Sequence, residues 1–492
     1  FYSEEGEMDF KGKGLTLNEV NPYVRSIKVL DKEFIRMRAR EIRKELLQGV
    51  KKPYKKLIDV SSGDAHMAGM KPISFLRQVL AVCLYPELLH SDRFPSDVEQ
   101  RAQRLLKNCE GGSLGSYSPP CGIVSIRRSV SEFISQRDGG VPSDPDNIFI
   151  TSGGQDAIRC ILKILVHGEG HAQTGVLMPV PSYSYFKIAV LEVGGAIVPY
   201  HLSEEQGWDM QVNELRRALQ TARGHCSPRA LYIINPGNPT ATGHVQSRES
   251  IEEVIRFAAE EKLFLLVDEV YQQTVFGEGS AFVSYKKVLY EMGPSYSDMV
   301  ELASLHSVSK GFTGECGLRC GYVEFVNLDP EVKKCAIRLF EMYLSSSITG
   351  QIALDIMTNP PGHEDPSYPI FKAESQAILE TLAHNARRVQ ETLDSLPGVS
   401  YQPVQGSLYI FPRLHLPPRA VEQARAEGME PDRFYCSRLL EEAGVCSTPG
   451  CDVGQREGTY HIRLCNLVPL DTMEDMLDRL NSFHPRFMQE FS

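Results

Sequence analysis

The sequence predicts an α/β protein whose main body is a mainly parallel sheet covered by helices on both faces. Three observations carry this. From residue 147 onward, short and nearly continuous apolar runs alternate with helical patterns, as strands buried on both faces do. Most of these runs end in a polar or glycine-rich segment, and in such sheets those segments gather at the carboxyl edge, where ligands bind. The chain is 492 residues long, more than one ordinary domain, so a second unit is expected.

The elements follow in order. Residues 1–27 are polar and read as an arm. Residues 31–48 carry Ile35, Met37, Leu46 and Leu47 among many charges, a surface helix stopped by Gly49. Residues 57–60 form a short strand ending in Ser61-Ser-Gly-Asp64, where the backbone can turn tightly. Helices are expected over 72–85, opened by Pro72, over 96–109, and over 126–137 after a glycine-rich loop. Strand 147–151, helix 155–166, strands 176–180, 196–202 and 230–235, helix 250–260 and strand 263–267 then alternate. Apolar runs at 300–305 and 322–326 flank a glycine-rich turn. Residues 330–358 read as one long helical stretch, and 371–396 as an uninterrupted helix of the kind that links two domains. The end reads as a second α/β unit, with strands at 408–411 and 459–465 and helices at 432–443 and 473–483.

Composition narrows the partners. A net charge of −11 argues against nucleic acid or an acidic membrane surface, and no apolar run is long enough to span a bilayer. Twelve scattered cysteines without a CxxC pair fit reduced thiols. Cys316 and Cys320 lack a histidine or second pair to complete a zinc site and are read as structural, so no metal is expected. We expect a cytoplasmic protein. The mitochondrial matrix stays open, because the sequence starts at Phe1 and reads as incomplete there.

The chemistry-bearing segments come next. Lys310 follows the 300–305 run directly. Burial without a partner is costly for an ammonium, lowers its pKa and frees the amine as a nucleophile, which a Schiff-base lysine requires. Ser307, Ser309 and Arg319 around it could grip a phosphate; a polar turn with its lysine in water is the alternative. Ser152-Gly-Gly-Gln155-Asp156 is a strand-to-helix turn whose free N–H groups also suit a phosphate. It is neither a Walker loop nor GxGxxG. Tyr183 lies just past a strand, where it could stack on a planar ring or pack under a loop. Asn235-Pro-Gly-Asn238-Pro is a stiffened loop whose Asn238 amide could bond a phenolic oxygen. Asp268 ends a buried run and needs a cationic partner, for which a protonated ring nitrogen would serve, or else caps a helix. Tyr271 could reach the same ring. Arg463 in the last strand could clamp a carboxylate with two prongs or form a structural ion pair, and strand alternation sets it on one face with His461 and Cys465.

As an ordered set, residues 72–79, 234–240, 263–272, 287–293, 307–321 and 454–463 resemble the fold-type I, aspartate aminotransferase family of pyridoxal-phosphate enzymes, from about Leu15 to the end. The resemblance implies a seven-stranded sheet in a large domain (116–360). It implies a smaller α/β domain from both ends of the chain (56–115 and 361–492), preceded by an arm and helix (1–55). It implies pyridoxal 5′-phosphate joined to Lys310 as a Schiff base, with Lys310 also shuttling the substrate proton. Asp268 would pair with the ring nitrogen, Asn238 and Tyr271 with the ring oxygen, and Tyr183 would stack. Gly154, Gln155, Asp156, Ser307 and Arg319 would hold the phosphate, with Tyr117 reaching the phosphate of the neighbouring subunit in a homodimer with shared sites. Arg463 would bind the substrate carboxylate, with Gly63 closing over it. The implied reaction is ping-pong amino transfer between amino acid and 2-oxo acid, L-alanine + 2-oxoglutarate = pyruvate + L-glutamate. A different amino-acid specificity, or lyase chemistry, is the alternative. The chain departs from the family pattern in a loop two residues longer after Asn238. It also departs at 59–70, 118–121, 344–348 and 447–453, where substrate choice is expected to lie.

Overall fold

A computed structural model of the chain describes residues 15–25, 27, 33–91, 93–238 and 244–492. The longer loop after Asn238 and most of the expected arm lie outside the described residues. Seven strands build the main sheet: β1 (Ile148–Thr151), β2 (Thr174–Val180), β3 (Ala196–His201), β4 (Ser227–Ile234), β5 (Phe264–Asp268), β6 (Leu302–Ser307) and β7 (Gly321–Val326). They lie side by side in the order β1-β7-β6-β5-β4-β2-β3. β7 runs antiparallel to both β6 and β1, and every other pairing is parallel. The 308–320 connection holds no α-helix that could carry the chain back across the sheet, so β7 turns back beside β6.

The sheet divides the core. Tyr232 and Leu266 face one apolar cluster with Ile158 and Ile161 of the Gly154–Leu165 helix. Leu231, Ile233, Leu265 and Val267 face the other, with Val254 and Phe257 of the Arg248–Glu261 helix. Burial on both faces is why these strands are apolar without alternation.

The two ends of the chain build the smaller unit together. Ile58–Asp59 pairs in parallel with Val445–Cys446, and Ile462–Cys465 takes Tyr409–Ile410 and Thr448–Pro449 as antiparallel neighbours. Asn385, in the long Tyr368–Ser395 helix, donates to the carbonyls of Asn466 and Val468 at 2.8 Å each.

Two expectations are corrected. Residues 330–358 are two helices, Pro330–Met342 and Ile348–Thr358. Between them Leu344 and Ser345 take φ of 65° and 118°, and the Ser347 hydroxyl caps the second helix by accepting the Gly350 N–H. Serine hydroxyls compete with helical hydrogen bonds, which favours a break here. The last strand starts at Ile462 rather than at 459, and His461 just before it forms an isolated antiparallel bridge with Arg413. The His461 ring stacks on Phe411 and meets Gln455 and Glu204.

β7 carries a buried acid. Glu324 accepts from Lys286 at 2.5 Å, with both side chains almost fully buried, and from Ser143. Lys286→Met strands that carboxylate, and urea unfolding should show a loss of about 3–5 kcal/mol. The double variant Lys286→Met/Glu324→Leu should recover most of it.

Candidate active site

The parallel strands β1, β2, β4, β5 and β6 all end at one edge, and their following residues meet the smaller unit around a cavity of about 310 Å³, the size of a small-ligand site. Gly63, Gly154, Gln155, Tyr183, Asn238, Asp268, Tyr271, Ser307, Lys310, Arg319 and Arg463 line it. Two sequence-predicted residues do not. Asp156 turns back to accept the Ser152 N–H at 3.0 Å, and so fastens the glycine turn. Tyr117 is 74% exposed on the surface.

Strand register places the acid. Asp268 is level with Ile234 of β4 and Leu305 of β6. Its carboxylate accepts from the Tyr232 hydroxyl at 3.1 Å and the Val270 N–H at 3.3 Å. Burial pushes its pKa up to about 6, offset only in part by those two donors and by the Lys310 charge. Among the described residues no cation is within ion-pairing distance of it, so a cationic donor from the cavity would stabilise its charged form. The adjacent Glu269 points away and binds Ser304 and the Tyr285 N–H.

Lys310 Nζ donates to the Gly63 carbonyl at 2.8 Å. Its pKa is displaced upward, opposite to the expectation from burial alone. Burial does favour the neutral amine, but the Tyr409 phenol and the Cys316 and Cys465 thiols around it favour the charge.

A compact anion corner forms where β1, β7 and β6 abut. Gly321 is level with both Thr151 and Ser307. A Cβ on Gly321 would stand 2.6 Å from the His306 carbonyl and 3.1 Å from Ser307 Cβ. Gly153 has φ +95°, and its Cβ would lie 2.9 Å from Arg319 Nη2. Glycine at both positions lets the start of the Gly154–Leu165 helix, Ser307 and Arg319 converge, with free N–H groups and a positive helix end facing the cavity. Arg319 is itself held by the Cys316 and Ser152 carbonyls, at 2.9 and 3.1 Å.

On the opposite wall, Asn238 Nδ2 donates to the Tyr271 hydroxyl at 2.8 Å. Arg463 is buried and donates to the Ser61 carbonyl at 2.9 Å, with Asn238 and Thr448 further off. Its guanidinium lies 4.3 Å over the Tyr409 ring. Among the described residues it has no carboxylate partner, and its Nε is buried without a hydrogen bond, which leaves it competent to clamp one from a ligand.

Of the four loops expected to set substrate choice, only 59–70 lines the cavity, through Ser62, Gly63 and Asp64. The 447–453 loop acts behind it: Val453 and Asp452 carbonyls accept from Ser182 and Ser184, which bracket Tyr183. Sequence reading missed Tyr409, Tyr185, Cys316 and Arg36, all in the cavity wall. An aromatic in the 408–411 strand was a usable signal for Tyr409. One arginine in a helix full of charges gave no signal for Arg36. Four cationic side chains, Arg36, Lys310, Arg319 and Arg463, face two carboxylates, Asp64 and Asp268, so the cavity is electrostatically suited to anionic ligands.

The half-buried Lys310 thus shares one cavity with the buried Asp268 and Arg463 at the ligand edge of the sheet. The family model for class I and II aminotransferases matches residues 85–480, and the chain belongs to that family. It is 51% identical to alanine aminotransferase 2 of Xenopus laevis over 478 residues, covering 97% of this chain and 88% of that one. It is 51% identical to alanine aminotransferase 1 of Homo sapiens over 482 residues, covering 98% and 97%. Glutamate–glyoxylate aminotransferase 1 of Arabidopsis thaliana is 39% identical over 484 residues, covering 97% and 98%. Among solved structures, an alanine aminotransferase from Pyrococcus furiosus superimposes with a TM-score of 0.74 at 21% identity, covering 95% of this chain and 99% of that one; that likeness speaks for the fold. No helix among the described residues is long and apolar enough to cross a membrane.

Gly63 offers a direct test of the geometry. A Cβ there would overlap the Tyr409 hydroxyl and come within 3.2 Å of Lys310 Nζ. Gly63→Ala should lower turnover by at least about 10-fold, by displacing the reacting groups, while circular dichroism and the melting temperature stay near those of the parent.

Proposed function

We propose that this aminotransferase carries pyridoxal 5′-phosphate at Lys310 and exchanges the amino group of L-alanine for the oxo group of 2-oxoglutarate, giving pyruvate and L-glutamate. The observation that carries the reading is the convergence of Lys310, Asp268 and Arg463 on one cavity, in a chain 51% identical to proteins named alanine aminotransferases. Those relatives favour this reading over a lyase or another amino-acid specificity.

The residues fit the cofactor. Asp268 is a buried carboxylate in want of a cation, which a protonated pyridine nitrogen would be. The cradle left by Gly153 and Gly321 is one that a side chain would fill. Gly154 and Gln155 at the helix start, with Ser307 and Arg319, would hold the phosphate, and Asp156 would keep their turn in shape. Tyr183 would cover the ring, and Asn238 with Tyr271 would bond its oxygen. Bound there, the cofactor supplies an electron-withdrawing ring that stabilises the charge left when a substrate Cα loses its proton.

The chain's own residues do the rest. Arg463, already fixed by Ser61 and Tyr409, orients the substrate by its carboxylate. Lys310, beside it, takes the Cα proton as an amine and returns one as an ammonium. The smaller unit, docking over the sheet edge through the Gly63 segment, excludes water. The exposed Tyr117 would complete the phosphate site of a second subunit, which makes the active form a homodimer. The same reading assigns 1–55 to an arm and helix, 56–115 and 361–492 to the small domain, and 116–360 to the large one.

Lys310→Ala should reduce turnover by at least about 1,000-fold while the cofactor still binds without a covalent link, measured by equilibrium dialysis. L-Alanine alone should yield one equivalent of pyruvate per site, with loss of the bound cofactor's visible absorbance, and then stall until 2-oxoglutarate is added. Continuous keto-acid release without an acceptor would show a lyase instead.

A further inference from the structure

Arg36 lines the cavity, and the roles assigned above leave it unused. It sits on the Glu33–Leu47 helix, whose Ile35, Ala39 and Ile42 form a buried stripe at the spacing of one helix face. Arg38 of the same helix pairs with Glu441 and, at 2.7 Å, with Glu45, and Arg43 reaches Asp59 at 2.8 Å. The helix is thus fastened to the smaller unit on two sides, and Arg36 is held at the mouth of the cavity, half-buried.

Its placement relative to Arg463 is specific. Arg36 Nη2 lies 3.5 Å from the Ser61 carbonyl oxygen, the same atom that accepts from Arg463 Nη2 at 2.9 Å. Two guanidinium groups therefore gather at one oxygen, and among the described residues neither has a carboxylate within ion-pairing distance. Asp64, the nearby acid of the cavity wall, is engaged by the Met67 N–H of its own loop at 3.0 Å. Paired like charges of this kind are stabilised best by a ligand that brings two anionic groups a short chain apart.

We infer that Arg36 takes the distal carboxylate of a five-carbon dicarboxylic substrate, while Arg463 takes the α-carboxylate that every substrate shares. The inference rests on the exchange between alanine and 2-oxoglutarate proposed above, and it explains how one cavity serves both. Alanine has no second carboxylate, so the group that reads it must tolerate going without. A half-buried arginine keeps water on its unused donors, and leaving it unpaired costs little. A deeply buried one, like Arg463, would not tolerate this.

The test uses the cofactor-loaded enzyme, its Arg36→Met and Arg36→Lys variants, and two unreactive probes. Calorimetric binding of glutarate and butyrate reads the second carboxylate without turnover. Wild type should bind glutarate at least about 30-fold more tightly than butyrate, Arg36→Met should bring the ratio below about 3-fold, and Arg36→Lys should restore part of it. In single half-reactions Arg36→Met should lower the efficiency with L-glutamate about 30-fold and with L-alanine less than about 3-fold; the retained alanine reaction certifies the fold. Equal losses with both amino acids would make Arg36 a structural residue and overturn the assignment, as would a glutarate preference that survives Arg36→Met. A wild-type enzyme with no glutarate preference and no glutamate half-reaction would overturn the assignment together with the reading it rests on.

Discussion

The site depends on one constraint: charges are buried at the carboxyl edge of a sheet that does not supply enough opposite charge to match them. Strand pairing puts Asp268 level with its neighbours on β4 and β6, deep enough that burial raises its pKa to about 6. The half-buried Lys310 and the buried Arg463 lie nearby with carbonyl partners in place of carboxylates. Burying such groups unpaired is unfavourable in an isolated fold. A ligand that brought a cation to Asp268 and anions to the arginines would complete the pairing.

The smaller unit makes that arrangement possible. The parallel pairing of Ile58–Asp59 with Val445–Cys446 delivers the Ser61–Gly63 segment over the sheet edge. Its carbonyls then receive Arg463, Arg36 and Lys310. The backbone of one short loop thus sets the spacing of three cations, and the Tyr409 ring packed against it leaves a side chain at Gly63 no room. The glycines of the anion corner follow the same logic, since Gly153 and Gly321 stand where any Cβ would press on Arg319 or on β6.

Much of this was legible in the sequence, for physical reasons. Doubly buried strands announce themselves as apolar runs, and the residues just after them are forced to the ligand edge; hence Lys310, Asp268, Asn238, Tyr183 and Gly154 could be placed before any coordinates. Arg463 was legible as an arginine in a buried strand. What stayed hidden depended on contacts distant in sequence. Arg36 is one of many charges on its helix, and only packing shows which one enters the cavity. Lys310's upward displacement arises from Tyr409, Cys316 and Cys465, residues that the fold brings together. The break at 343–347 lay in a serine run whose hydroxyls compete with the helix, which periodicity alone does not weigh.

The central claim is that Lys310 is the attachment point of pyridoxal 5′-phosphate. Borohydride reduction of the cofactor-loaded protein, followed by peptide mass mapping, tests it most directly. The account predicts one reduced pyridoxyl-phosphate group per chain, on the peptide carrying Lys310. A label on another lysine, or none on a protein that has taken up the cofactor, would contradict it.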